Sequence, residues 1–104
     1  MDKDNIKSSQ LDRLQKWYLS MCNGSWEHTY GITLQTVDNP GWWLQVDLED
    51  SYLSSRAFVE IDDRGAHIND WLICSVQDKK FVGYCGPENL NEMLVAFLDW
   101  ACWS

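Results

Sequence analysis

The chain has 104 residues, of which 45 % are hydrophobic and 13 % are aromatic. This composition can fill a hydrophobic core and excludes an intrinsically disordered chain, so we expect one domain over residues 1–104 with the polar residues 1–8 loose. A net charge of −8 at pH 7 argues against nucleic acid or an anionic membrane as a partner and favours a basic protein.

The negative charge is concentrated in the middle third of the chain. Residues 38–70 contain eight acidic and two basic residues, whereas residues 1–37 contain four of each. Residues 71–104 contain four acidic and two basic residues. Solubility alone does not require such a distribution, so the middle third is the candidate contact region for a basic partner.

The cysteines and the N-terminus indicate a cytoplasmic protein. Cys22, Cys74, Cys85 and Cys102 are widely spaced, and no two of them form a Cys-x-x-Cys pair. The N-terminus lacks a signal-peptide pattern, and no apolar run reaches membrane-spanning length. We therefore expect reduced thiols that act as small buried hydrophobic groups.

Helical periodicity occurs near both ends of the chain. Ser9 is a candidate N-cap for the first helix, which is expected to end at Asn23-Gly24. A second helix is expected after Gly86-Pro87, because proline suits the first helical turn. Each helix has one apolar stripe, which must pack on another element.

Between the helices, the sequence alternates with the two-residue period of β-strands. Strands are predicted at residues 30–37, 42–48, 56–62, 71–77 and 81–85. The DNPG run at residues 38–41 favours a turn in which proline sets the second position and glycine supplies a positive φ at the third.

Two adjacent tryptophans begin the second predicted strand, where neighbouring side chains must point to opposite faces. Trp42 shares its face with aliphatic residues, whereas Trp43 shares the other face with Gln45 and Asp47. Because carboxylates are rarely buried without a partner, Trp42 is expected to face the core and Trp43 the solvent.

These elements predict an α+β fold: an antiparallel sheet of about five strands, arranged as a meander, with the N- and C-terminal helices packed on one face. The opposite face would then be open to solvent and would combine aromatic with acidic side chains, a pattern typical of a protein-binding surface. The residues expected on that face are Trp43, Gln45, Asp47, Phe58, Glu60 and Asp62.

Catalytic and metal-binding patterns are weak. Cys22, His28 and His67 have no spacing typical of a zinc site, so we expect neither a metal nor a cofactor. A set of Cys85, His28 and Asp38 lacks any nucleophile motif, and an acidic chain is a poor setting for a thiolate. The sequence therefore favours a binding protein over an enzyme.

Three segments resemble a known family. They are Trp17-Tyr18 in the first helix, WEHTYGI at residues 26–32 and TVDNPGWWLQVDL at residues 36–48. Together they resemble immunity protein 53 of bacterial polymorphic toxin systems, and CGPENLNEML at residues 85–94 extends the resemblance to nearly the whole chain. The residues that match the family pattern are Trp26, Glu27, His28, Gly31, Ile32, Asp38, Asn39, Pro40, Gly41 and Trp42.

The resemblance implies an antitoxin that binds the toxic domain of a secreted protein inside the producing cell, without catalysis. The toxin is expected to be basic, and its being a nuclease is a hypothesis from charge alone. Glu27 and His28 would either hold the DNPG turn or touch the partner. The residues expected to bind the partner are Trp43, Asp47, Phe58, Glu60 and Asp62, with Glu49, Asp50 and Asp63 as an acidic rim.

Three alternatives remain open at this point. The chain could be a small acidic regulatory or adaptor domain that binds another protein or a small ligand. It could also form a homodimer through the open face, which would explain exposed aromatic residues without a toxin. A small enzyme that uses Glu27 and His28 is the third alternative.

Overall fold

A five-stranded antiparallel sheet with helices at both ends of the chain forms the fold, as the sequence predicts. The computed structural model describes residues 9–65 and 68–103, so the expectation of a loose segment at residues 1–8 lies outside the described residues. The elements are α1 (Gln10–Met21), α2 (Trp26–Thr29), β1 (Ile32–Val37), β2 (Gly41–Asp47), β3 (Ile61–Asp63), β4 (Leu72–Gln77), β5 (Lys80–Cys85) and α3 (Leu90–Trp100).

The strand order is β1-β2-β5-β4-β3, so the expected meander is wrong. Strand β5 pairs with β2 on one side and with β4 on the other, while β3 lies at the far edge. The central position needs a strand with buried apolar groups, and β5 supplies the fully buried Phe81 and Cys85. Strand β3 has only three residues, two of them aspartate, and such a strand suits an edge.

The core lies between one face of the sheet and helices α1 and α3. Trp17 of α1 meets Phe97 of α3 edge-to-face, with ring centroids 5.0 Å apart. Phe97 in turn contacts Phe81 of β5 at 5.2 Å. All three side chains are fully buried, so α1, α3 and the sheet share one aromatic core.

The helix ends follow the sequence only in part. The Ser9 hydroxyl accepts a 3.0 Å hydrogen bond from the Asp12 amide, which confirms the predicted N-cap. Gly24 has a φ of 89°, as expected for glycine after a helix. Helix α3, however, begins at Leu90 rather than directly after Gly86-Pro87, because the Asn89 amide first closes a turn onto the Gly86 carbonyl at 3.1 Å.

The hairpin between β1 and β2 forms as predicted, but its glycine has a different role. The Asn39–Pro40 peptide is cis, and Gly41 is not among the residues with positive φ. Gly41 is instead the first residue of β2 and lies so close to β5 that an added Cβ would collide with the Cys85 carbonyl oxygen. The lack of a side chain, rather than a left-handed conformation, explains glycine here.

The strand expected at residues 56–62 is mostly irregular, and the predicted orientation of its aromatic residue is wrong. Only Ile61–Asp63 forms β3. Phe58 packs edge-to-face on Phe81 at 5.4 Å and on Trp100 at 5.2 Å, so it lies on the helix side of the sheet. Val59 is 88 % exposed instead. The indole of Trp100 donates a 2.8 Å hydrogen bond to the Ala57 carbonyl, which holds this segment against α3.

Candidate functional site

The sheet face opposite the helices carries a row of side chains that crosses all five strands. The register places Gln35 opposite Trp43, Trp43 opposite Tyr84, and Tyr84 opposite Ile73, and Asp62 ends the row. We call this surface the open face, and it consists of Thr33, Gln35, Trp43, Gln45, Asp47, Asp62, Ile73, Ser75, Gln77, Lys80, Val82 and Tyr84. All of these residues are half-buried or exposed, so none of the described elements roofs this face.

An aromatic pair forms the centre of the open face. Trp43 and Tyr84 stack with ring centroids 6.4 Å apart and 17° between their planes. Ile73 follows on the next strand, which extends the apolar strip. The predicted outward orientation of Trp43 is therefore confirmed, and Trp42 faces the helix side, where its indole donates to the Pro87 carbonyl at 3.2 Å.

The indole N–H of Trp43 has an unusual environment. Trp17, Trp26, Trp42 and Trp100 each donate their indole N–H to an acceptor. The Nε1 atoms of Trp43 and Trp103 are buried and have no hydrogen-bond partner among the described residues, and of the two only Trp43 lies on the open face. An unsatisfied buried donor lowers the stability of the folded protein by about 1–3 kcal/mol. In the free protein, the Trp43 indole N–H is such a donor without an acceptor.

The open face is less acidic than the sequence suggested, because both of its carboxylates are paired. Asp47 lies 3.0 Å from Lys80 Nζ and also accepts a 2.9 Å hydrogen bond from the Gly31 amide. The hydrogen bond to Asp47, followed by the charge of that carboxylate, raises the pKa of Lys80. Asp62 pairs with Arg64 at 2.7 Å.

The other predicted acidic residues lie outside the open face. Glu49 follows β2 and is 3.6 Å from Lys79 Nζ. Asp50 has a φ of 58° in the connection between β2 and β3, and Glu60 is exposed just before β3. Asp63 is exposed but has helix-side register opposite Leu72. These four residues do not form part of the open face, and we refer to them as the acidic rim.

Sequence reasoning missed Tyr84, Ile73 and Val82 as members of the open face. The alternation of KFVGYC at residues 80–85 would have placed Tyr84 and Val82 opposite the buried Phe81. What the sequence lacked was the pairing of β5 with β2, which brings Tyr84 directly beside Trp43.

The residues that match the family pattern mainly shape the backbone. Trp26 is buried and donates its indole N–H to the Glu49 carbonyl at 2.9 Å. The Glu27 carboxylate accepts 2.9 Å hydrogen bonds from the amides of Asn23 and Gly24, so it holds the turn after α1 rather than the DNPG turn. Hydrogen bonds from its own amide and from these two amides lower the pKa of Glu27.

The exposed members of the pattern lie away from this scaffold. His28 is exposed at the end of α2, and Asp38 and Asn39 are exposed at the tip of the β1–β2 hairpin. Pro40 is the cis proline of that tip. The pattern thus combines two anchored indoles, one capping carboxylate and one tight hairpin. Trp43, the residue directly after the pattern, lies on the open face.

The described residues give little support for metal binding or for a reactive thiolate. Among residues 9–65 and 68–103, no three His, Cys, Asp or Glu side chains are grouped to hold a metal ion, and His67 lies outside the described residues. Burial raises the pKa of the Cys74 thiol to about 12 and that of Cys85 to about 11. At neutral pH both thiols are therefore protonated and are poor nucleophiles.

The family model described as immunity protein 53 matches residues 11–102, nearly the whole chain. No curated protein and no solved structure matches the chain. In the described part of the chain, none of the helices has the length and apolar character needed to cross a membrane.

Proposed function

Because the chain belongs to the immunity protein 53 family, we propose that it binds and neutralises a cognate toxin through the open face. Binding is stoichiometric and requires no catalysis by the immunity protein. It takes place in the cytoplasm of the producing cell, where the toxin would otherwise act.

The stacked pair of Trp43 and Tyr84 on a sheet face that no described element covers is the observation that carries the proposal. Aromatic side chains at the centre of an interface supply most of its binding energy, and Ile73 extends their apolar area. A standard interface buries roughly 1,600 Å² in total, and a five-stranded face is broad enough to contribute its half.

The unsatisfied indole N–H of Trp43 supports its role as an anchor. A small rotation of the side chain on docking would bring Nε1 to an acceptor on the toxin, such as a backbone carbonyl. The complex would then regain a hydrogen bond that the free protein lacks, and this gain favours the bound state.

Charge supports a basic toxin domain. The net charge of −8 attracts a cationic surface over a distance of about 10 Å at moderate salt. Asp47, Asp62 and Glu49 already have basic partners. The remaining rim residues, Asp50, Glu60 and Asp63, therefore carry the attraction. The active site of a nuclease is a basic surface of this kind, and we propose a nuclease as the toxin.

The decisive experiment measures binding of the toxic domain encoded beside this gene by calorimetry. Trp43→Ala is expected to weaken binding by about 2 kcal/mol, roughly 30-fold, and Tyr84→Ala by about 1 kcal/mol or more. The matched control is Val59→Ala, an apolar residue that is 88 % exposed outside the open face, and it should leave the affinity unchanged.

Thermal unfolding of the same variants separates a contact role from a structural one. Trp43→Ala should lower the free energy of unfolding by no more than about 1 kcal/mol, the scale of one aromatic pair. Unchanged affinity in both aromatic variants would refute the open face as the binding site. Raising the salt concentration should slow association if the acidic rim steers the toxin.

A further inference from the structure

The free edge of strand β1 is the one long unprotected strand edge among the described residues. Strand β1 ends the sheet on one side, and its six residues include no charged residue and no proline. The opposite edge, β3, has three residues and carries two aspartates beside Arg64. Natural sheets prevent pairing at their edge strands with charged residues, proline or short strands, and β1 has none of these features.

The hydrogen-bonding groups on that edge can be assigned from the register. The Asp47 amide donates to the Gly31 carbonyl at 3.1 Å, so the odd-numbered residues of β1 direct their main-chain groups toward β2. The even-numbered residues Ile32, Leu34 and Thr36 therefore direct their N–H and C=O groups outward. These groups form a template for one more antiparallel strand.

An apolar groove accompanies the free edge. It lies between α1 and the start of β1, encloses about 500 Å³, and is lined by Leu11, Leu14, Gln15, Tyr18, Gly31 and Ile32. Leu11 is 55 % exposed and Tyr18 is 39 % exposed, so both present apolar surface beside the strand. A strand that pairs with β1 would find side-chain contacts as well as main-chain partners.

We propose that a second copy of this chain occupies the edge, so that two β1 strands pair antiparallel about a two-fold axis at Leu34. In this register Leu34 faces Leu34 of the second copy, and Ile32 faces Thr36. The Ile32–Thr36 pair occurs twice because of the two-fold axis, so the outward main-chain groups of Ile32, Leu34 and Thr36 all gain partners. The side chains on the other face pair Thr33 with Gln35, and no like charges meet.

Charge favours a second copy here over a basic partner. The acids and bases of α1 are paired, since Lys16 lies 3.0 Å from Asp12 and Arg13 lies 3.2 Å from Asp99. Helix α1 and strand β1 therefore carry little net charge, although the exposed Asp38 follows β1 and the whole chain carries −8. Two such chains meet here with little repulsion, whereas a cationic protein is attracted elsewhere. The dimer leaves both open faces accessible, so it does not depend on the proposed toxin site.

The first test measures the molecular mass of the protein in solution by sedimentation velocity at about 100 µM. The wild type is expected at twice the 12.2 kDa mass of the chain. Leu11→Glu and Thr36→Pro should give monomers, because the first charges the groove and the second removes an N–H that points away from β2. Leu19→Glu is the matched control, since Leu19 is a 68 % exposed residue of α1 outside the groove, and it should remain dimeric.

The second test determines the register of the two β1 strands by disulfide crosslinking. Leu34→Cys, in a chain that also carries Cys22→Ser and Cys102→Ser, should form a disulfide-linked dimer on oxidation, because the two Cα atoms would lie about 5.5 Å apart. Thr33→Cys in the same background should crosslink far more slowly, since its two copies are offset along the strands. A monomeric wild type, or equal crosslinking of both variants, would overturn the proposal.

Discussion

The indole Nε1 of Trp17 donates a 3.0 Å hydrogen bond to the hydroxyl of Tyr52. The same hydroxyl donates to the Ala101 carbonyl at 2.9 Å. One phenol thus joins helix α1, the connection between β2 and β3, and the end of helix α3. Since Trp17 is fully buried, its N–H has no alternative acceptor in water.

Tyr52→Phe is therefore expected to destabilise the protein by about 1–3 kcal/mol, because the substitution leaves a buried donor unsatisfied. Urea denaturation followed by tryptophan fluorescence measures the loss. Tyr84→Phe is the control, as Tyr84 lies on the open face, and it should stay within about 0.5 kcal/mol of the wild type. Equal stability of the two variants would show that the Tyr52 hydroxyl does not link these elements.

Gly41→Ala should cost about 1–3 kcal/mol, since the new methyl group collides with the Cys85 carbonyl oxygen and pushes β2 away from β5. Gly31→Ala provides a comparison within the same hairpin, because a Cβ there meets no atom within 4 Å. Thermal melts of both variants test this difference. A melting temperature for Gly41→Ala equal to that of Gly31→Ala would contradict the close approach of the strands.

Glu27→Gln should reduce stability at neutral pH, and its effect should depend on pH. Since the pKa of Glu27 is lowered in the folded state, the ionised carboxylate stabilises the fold above the pKa of the unfolded chain. This contribution is lost as pH falls through the folded pKa, so the difference between wild type and variant should shrink in acid. Melting curves across the acidic range measure it, with the exposed Glu60→Gln as a control.

The four cysteines should fall into three classes of reactivity toward a thiol reagent in the native protein. Cys102 is exposed and Cys22 is half-buried, whereas Cys74 and Cys85 are buried with pKa values raised to about 12 and about 11. We expect rapid labelling of Cys102, slower labelling of Cys22, and labelling of the buried pair only on unfolding. Mass spectrometry of labelled peptides resolves the four sites, and fast modification of Cys85 would contradict its burial.

Local chemistry determined most of the individual elements. The cap at Ser9, the β1–β2 hairpin and the opposite orientations of Trp42 and Trp43 follow from side-chain size, periodicity and charge within a few residues. The Asp78-Lys79 connection between β4 and β5 is also local, since both residues have the positive φ values of a type I′ hairpin turn. Such features involve neighbours in the chain, so the sequence is sufficient to predict them.

Only the tertiary structure decided which strands are neighbours, and with them the composition of the open face. The pairing of β5 with β2 depends on burying Phe81 and Val46 together, a contact between residues 35 positions apart that no local pattern encodes. It places Tyr84 beside Trp43 and Lys80 beside Asp47. Packing against α3 in turn brings Phe58 onto Trp100. The sequence by itself determined which residue types were available for binding, whereas long-range packing chose the ones that share a surface.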